Sequence, residues 1–390
     1  MTDAVIVATA RTPIGRAYKG SLIGLDAFAL AEIAVAEAVR RSGIDRRDLD
    51  DIVLAESLQG GGVIARHTAV RLGLTTVPGL ADNRHCAAGL SALQIAAGSI
   101  IAGMDHVIVA GGTESLTNSP VTTRRSPATG ELSAWMSPSH PETPDAPAWD
   151  MSITVGENTA RAAGLSRHDV DEWAALSHER AIASIDAGWF RDEIVPVTMV
   201  RADGSTGCFD TDEHPRRGTS IEKLAALALL HPEIGGATVT AGNAAGLNDA
   251  AAAVVVASGD YAAAHRLPML GRVRSWASVG VEPALTGMAP IDAIPRAIAR
   301  AGLAQSDIAL FEINEAFCSV PVAASRALAI DPGILNVNGS GCSLGHPIAA
   351  TGARMVITML AELARRDAQF GCVSMCAGGG MGSAMILERL

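Results

Sequence analysis

Two distant segments share one pattern. HVIVAGGTES (106–115) and CVSMCAGGGMGS (372–383) each run as an apolar strand into glycines. An internal repeat constrains a fold strongly, because both copies must form the same supersecondary unit. In the first part, AVIVATA (4–10) leads to the amphipathic stretch DAFALAEIAVAEAVRRSG (26–43), then DIVLAES (51–57) and a helix-like CAAGLSALQIAAGSIIAG (86–103). The last part repeats the rhythm. DAIPRAIARAG reads as helix, DIALFEIN as strand, EAFCSVPVAASRALAI as helix, ILNVN as strand and IAATGARMVITMLAELARR as helix, before CVSMCAGGG and SAMILERL as strands. This alternation predicts an α/β fold with a mainly parallel sheet.

The copies differ in how they close. SAMILERL follows its partner strand at once, whereas its equivalent, AAAAVVVAS (250–258), comes more than a hundred residues late. The reading is a duplicated half with an insertion: residues 1–116 with 241–262 as one half, 263–390 as the other, and 117–240 as an inserted loop domain. The insert holds TNSPVTTRRSPATG and MSPSHPETPDAPAWD, which read as loops, and one helical stretch, SRHDVDEWAALSHERAIASIDAG. Long loops on a rigid scaffold commonly carry binding function.

The 390 residues exceed one ordinary core, and 48% of them are apolar. Aromatics are only 3% while Ala and Gly are abundant, which suggests closely packed helices. A net charge of -11 without a basic stripe argues against nucleic acid, but leaves room for a local patch that binds a small anion. Six cysteines, no secretory leader, no run of membrane-spanning length and a C-terminus unlike the peroxisomal signal give a soluble, cytoplasmic expectation with reduced thiols.

Four segments could carry chemistry. Cys86, in NRHCAAGL, is placed at a helix N-terminus, where unpaired amides lower a thiol pKa; a buried inert cysteine is the bland alternative. His346, in NVNGSGCSLGHPIAATGAR, stands among glycines with Pro347 opening the next helix, positioned for use or merely capping. Cys376 ends a strand before three glycines whose amides can approach a ligand; no dinucleotide spacing is present, and its C-x3-C spacing with Cys372 makes zinc a poor fit, so no metal is expected. In FEINEAF, Asn314 and Glu315 begin a helix after a strand; Asn314 caps it or holds a catalytic water. All four fall at strand ends, where open α/β sheets bind ligands.

With these motifs in order, joined by RTPIG (11–15) and VTAGNAAGLNDAAAA (239–253), the chain resembles the thiolase family over essentially its whole length. The resemblance implies two βαβαβαββ halves in a five-layered αβαβα core with an inserted loop domain. It implies thiolytic cleavage of a 3-ketoacyl-CoA to acetyl-CoA and a shortened acyl-CoA, or the reverse condensation. Cys86 would be the acyl-accepting nucleophile, His346 its activator and Cys376 the acid/base. Asn314 would hold the water that completes one oxyanion hole with His346, and the backbone N–H groups of Cys86 and Gly378 would form the other. CoA would be substrate and product with no permanently bound cofactor, Arg216 in DEHPRRGT a CoA contact, and the protein a homodimer or homotetramer. The departures lie in the binding loops: WDMSITVGENTA lacks the family's usual His, and Ala245 replaces the usual serine. They bear on acyl specificity. A ketoacyl synthase-type enzyme and a catalytically quiet lipid-binding or scaffold subunit are the alternatives.

Overall fold

The computed structural model describes residues 2–59, 61–200 and 204–390. Its main sheet consists of two equivalent ribbons. The first orders its strands β3-β2-β4-β5-β1, where β1 is Ala4–Arg11, β2 Asp51–Ala55, β3 Leu80–Asp82, β4 Val107–Ser115 and β5 Asn248–Ser258. The second runs β7-β8-β9-β6, with β6 Gly271–Gly280, β7 Leu310–Ile313, β8 Phe370–Ala377 and β9 Met381–Arg389. The pairings correspond: β2 is parallel to β4 as β7 is to β8, and β4-β5-β1 is antiparallel as β8-β9-β6 is. The ribbons join where β1 meets β6, with Val5 opposite Arg272 and Ile6 opposite Gly271.

The sheet is therefore mixed, with more antiparallel than parallel pairing, where the alternation had predicted mainly parallel. The reason is local. β9 follows β8 through a tight glycine turn, which permits only an antiparallel return, since a parallel strand needs a long crossover.

Helices complete five layers. α1 (Ala27–Ser42) covers the outer face of the first ribbon, where Leu30, Ala34 and Val35 pack with Val7 and Val255. Its ends are written in the sequence: the Asp26 carboxylate accepts from Ala29 N–H, and Gly43 stops the helix at φ 70°. α2 (Ala88–Ile101) and α6 (Ile348–Arg365) lie between the ribbons, and α4 (Ala289–Ala301) covers the second ribbon from outside. The insert leaves after β4 and returns at β5. It includes the helix α3 (Arg167–Asp186) and a short exposed hairpin pairing Thr123–Arg125 with Leu132–Ala134, in a stretch that read as loop. Arg11 ties the insert to the first ribbon. Its buried guanidinium lies 2.9 Å from both Glu193 and Asp212. No helix among the described residues is long and apolar enough to cross a membrane.

The central helices touch backbone to backbone. A methyl group on Gly89 would lie 2.7 Å from the Ala349 carbonyl, and one on Gly352 would lie 2.4 Å from Leu90 N. Gly352→Ala is therefore expected to push α2 and α6 apart and destabilise by about 1–3 kcal/mol, as overpacking does. A thermal melt checks this; an unchanged Tm would show that the helices have room to separate.

Two local expectations are corrected. Asn314 and Glu315 do not begin a helix: α5 starts at Ser319 and runs to Leu328, leaving 314–318 as a loop. ILNVN is not a strand and contributes only isolated bridges, from Leu335 to Phe311 and from Val337 to Gly339. Asn336, at φ 50°, breaks it, and its side-chain amide then satisfies the edge of β7 by accepting from Ile313 N–H at 2.7 Å and donating to the Ile313 carbonyl at 2.8 Å.

Candidate active site

Cys86 follows β3 and precedes α2 by two residues. The turn holding it is fixed by Asn83, whose side chain accepts from His85 N–H at 2.8 Å and donates to the Ser57 carbonyl at 3.1 Å. Arg84 donates from one nitrogen to Ser91, Gln94 and Ser278, which ties the turn to β6 of the other half. His346 occupies the equivalent place in the second copy, just before α6. The duplication thus brings the two residues together as counterparts across the central helix pair.

A cavity of about 300 Å³ is lined by Cys86, His346 and Cys376 at one end. Leu116, Met136, Trp149, Met151, Leu247 and Phe317 form much of its remaining wall. Met151 precedes and Val155 lies within the wide helical turn Ser152–Glu157, a π-type turn of the kind that often marks functional sites.

Hydrogen bonds settle the state of His346. Its backbone N–H donates to Asn248 Oδ1 at 3.0 Å. The Thr351 hydroxyl donates to the Pro347 carbonyl at 2.8 Å, so Nδ1, 2.7 Å from that hydroxyl, must be its donor. Nε2 is left with the lone pair, which is the form a general base needs. Burial, with a smaller contribution from the Arg354 charge, lowers its pKa to about 3, so the ring is neutral.

Asn314 places its Nδ2 3.4 Å from His346 Nε2, while its Oδ1 is buried without a protein partner. Glu315 anchors this loop by accepting from Trp173, Ser177, Asn336 and the Cys342 N–H. Glu114, at the end of β4, accepts from Ala349 N–H, Leu58 N–H and the Gln59 amide. It ties the start of α6 to the loop after β2, and burial raises its pKa to about 7. The segment VIVAGGTES contains Glu114, but nothing in the spacing marks it as functional; Asn248 and Thr351 are equally silent in the sequence.

Cys86 corrects the expectation of an acidified thiol. The backbone N–H groups of Gly378 and of Cys86 itself favour the thiolate. Burial outweighs them and raises the pKa to about 11. Helix-end effects are typically worth ~1 kcal/mol or less, too little to offset such a rise, and the helix begins two residues later. Cys376 is also buried and its pKa is raised further, by burial and then by its neighbour Cys86. Alkylation of Cys86 by iodoacetamide is accordingly expected to rise about tenfold per pH unit from pH 7 to 10, following the thiolate fraction. A plateau near pH 7–8, read by mass spectrometry, would instead reveal a thiolate already formed.

Arg216 is exposed and is not among the residues lining this cavity. Its backbone N–H donates to His178 Nδ1 at 3.2 Å.

The profile described as "Thiolase, N-terminal domain" matches residues 4–260, and "Thiolase, C-terminal domain" matches residues 267–389. The chain belongs to the thiolase family. It is 40% identical to an acetyl-CoA acetyltransferase of Pseudomonas aeruginosa and 38% identical to a 3-ketoacyl-CoA thiolase of Bacillus subtilis, each pair covering 100% of both chains. Among solved structures, human mitochondrial 3-ketoacyl-CoA thiolase in complex with CoA is similar at a TM-score of 0.89 and 31% identity, covering 100% of this chain and 98% of that one. The five-layered core is thus a thiolase core, and the protein is an acyltransferase with thiolase function.

Proposed function

We propose that this thiolase cleaves 3-ketoacyl-CoA with CoA, or runs the reverse condensation, through an acyl group carried on Cys86. The observation that carries this reading is the meeting of Cys86, His346 and Cys376 in one cavity, which Gly378 also lines.

In the cleavage direction, His346 Nε2 takes the thiol proton as Cys86 attacks the 3-keto carbonyl. The carbon–carbon bond breaks, its electron pair forms the enolate of acetyl-CoA, and Cys376 delivers the proton that completes acetyl-CoA. CoA thiol then attacks acyl-Cys86 and the shortened acyl-CoA leaves, while the CoA proton and the one held by His346 restore the Cys86 and Cys376 thiols. The developing oxyanion on the acyl carbonyl is held by the Cys86 and Gly378 N–H groups. The enolate is held by His346 and by a water on Asn314, whose side chain supports this role by lying beside His346. Each such donor contributes about 2.7–4 kcal/mol in comparable sites.

Cys86 and His346 rest as a neutral pair. Moving a proton from a thiol near 11 to an imidazole near 3 costs on the order of 10 kcal/mol before their attraction is counted. Even two charges about 4 Å apart at an effective dielectric near 20 attract by only about 4 kcal/mol. The thiolate is therefore generated during attack rather than stored.

CoA acts as substrate and product, with no permanently bound cofactor. Arg216 contacts it from the insert, and the protein works as a cytoplasmic homodimer or homotetramer, with no nucleic-acid partner. The decisive experiment is intact mass after brief mixing with acetoacetyl-CoA or acetyl-CoA. A single acetyl adduct on Cys86 supports the reading; no adduct with these or longer 3-ketoacyl-CoAs overturns it.

A further inference from the structure

Beyond the reacting groups the cavity wall is apolar but for Ser57, Ser137, Ser139, Trp149 and one titratable side chain. His85, immediately before the nucleophile, lines it. Its backbone is in the left-handed region at φ 47°, an uncommon conformation for a residue other than glycine, and Asn83 holds its N–H there. The ring lies directly over Gly378: a methyl group on that glycine would be 3.7 Å from the His85 Cγ. This is the neighbourhood of the first carbons of any acyl group on Cys86.

Neither ring nitrogen of His85 is hydrogen-bonded by another described residue. The Ser139 hydroxyl, which also lies beside Gly378, gives its proton to His140 and so is no donor to His85. His140 Nε2 is 2.9 Å from the Ala146 carbonyl and must donate to it, so His140 Nδ1 accepts the Ser139 proton at 2.8 Å. Burial, and then the neighbouring His140, lower the His85 pKa. The neutral ring offers one donor and one acceptor to the cavity. A partly buried polar group without a protein partner favours a ligand that supplies one, and a site built to bond an oxygen discriminates against the analogue lacking it.

We propose that His85 is a specificity residue that hydrogen-bonds an oxygen substituent, hydroxyl or carbonyl, on the acyl group transferred to Cys86. The inference rests on the acyl-Cys86 reading above and names the substrate class: 3-ketoacyl-CoAs whose chain is apolar but bears an oxygen close to the reacting carbonyl. Plain chains still enter, at the cost of leaving the ring unpaired.

The test compares kcat/KM for 3-oxohexanoyl-CoA with its 5-hydroxy and 6-hydroxy derivatives. The wild-type protein is expected to favour one hydroxylated substrate by about tenfold. His85→Gly removes the ring without backbone strain and is expected to bring the ratio close to one. His85→Asn, which also tolerates a positive φ and keeps a donor and an acceptor, is expected to retain part of the preference. A wild-type ratio near one for both derivatives, or a ratio unchanged in His85→Gly, overturns the proposal. Failure of the underlying reading looks different, because then none of the three substrates leaves an adduct on Cys86.

Discussion

Cys86→Ala protein mixed with acetoacetyl-CoA is expected to show no acyl adduct and a kcat lowered by about 10⁴-fold or more, with its melting temperature nearly unchanged. The first two effects follow from covalent catalysis. Without the sulfur, carbon–carbon cleavage needs direct attack by CoA, and losing a nucleophile that acts as part of a unit costs as much as losing the unit. The third follows from the small change in side-chain volume at a residue already partly open to the cavity. The other cysteines sharpen the measurement. Cys318, Cys342, Cys372 and Cys376 are buried, whereas Cys208 is exposed. An adduct persisting in Cys86→Ala would therefore be sought first on Cys208, and its removal by a second substitution would identify adventitious acylation. Full turnover by Cys86→Ala would end the covalent mechanism.

What the sequence made legible was whatever depends on periodicity and punctuation. The repeated strand-into-glycine segments announced two equivalent ribbons, and the late AAAAVVVAS announced that one ribbon is completed after an insertion. Cys86, His346 and Cys376 were legible because each sits where an apolar run stops, and the structure brings all three to one cavity. Less local facts were hidden. The direction of strand pairing depended on a turn rather than on the strands themselves. Asn336 replaced a strand through its side chain, which no strand propensity registers. The acidity of Cys86 was misjudged because a helix start can be read from sequence, whereas burial by residues hundreds of positions away cannot. Glu114 gains its importance only when β4, the loop after β2 and the start of α6 converge on one carboxylate.

The same burial that makes Cys86 a reluctant thiolate makes Cys376 a resting acid, and this separates two kinds of step. Cys376→Ala is expected to lower kcat for acetoacetyl-CoA cleavage by about 10²–10⁴-fold, the usual contribution of a positioned proton donor. Cleavage must place a proton on carbon, and the protonated thiol, favoured by burial, is the form that does so. Exchange of labelled CoA into acetyl-CoA through acetyl-Cys86 is a different demand. It makes and breaks only thioester bonds, and a thiol with a reference pKa near 8.5 leaves readily as thiolate, so exchange is expected to fall no more than about tenfold. Deuterium uptake from D₂O into the acetyl-CoA methyl group should disappear together with cleavage. Unchanged acetoacetyl-CoA turnover in Cys376→Ala would remove Cys376 from the carbon acid step and place the chemistry with condensing enzymes that use another residue there. Equal losses in cleavage and exchange would show that Cys376 also handles the CoA proton. A selective loss would assign it to carbon, and His346 alone would then serve the sulfur.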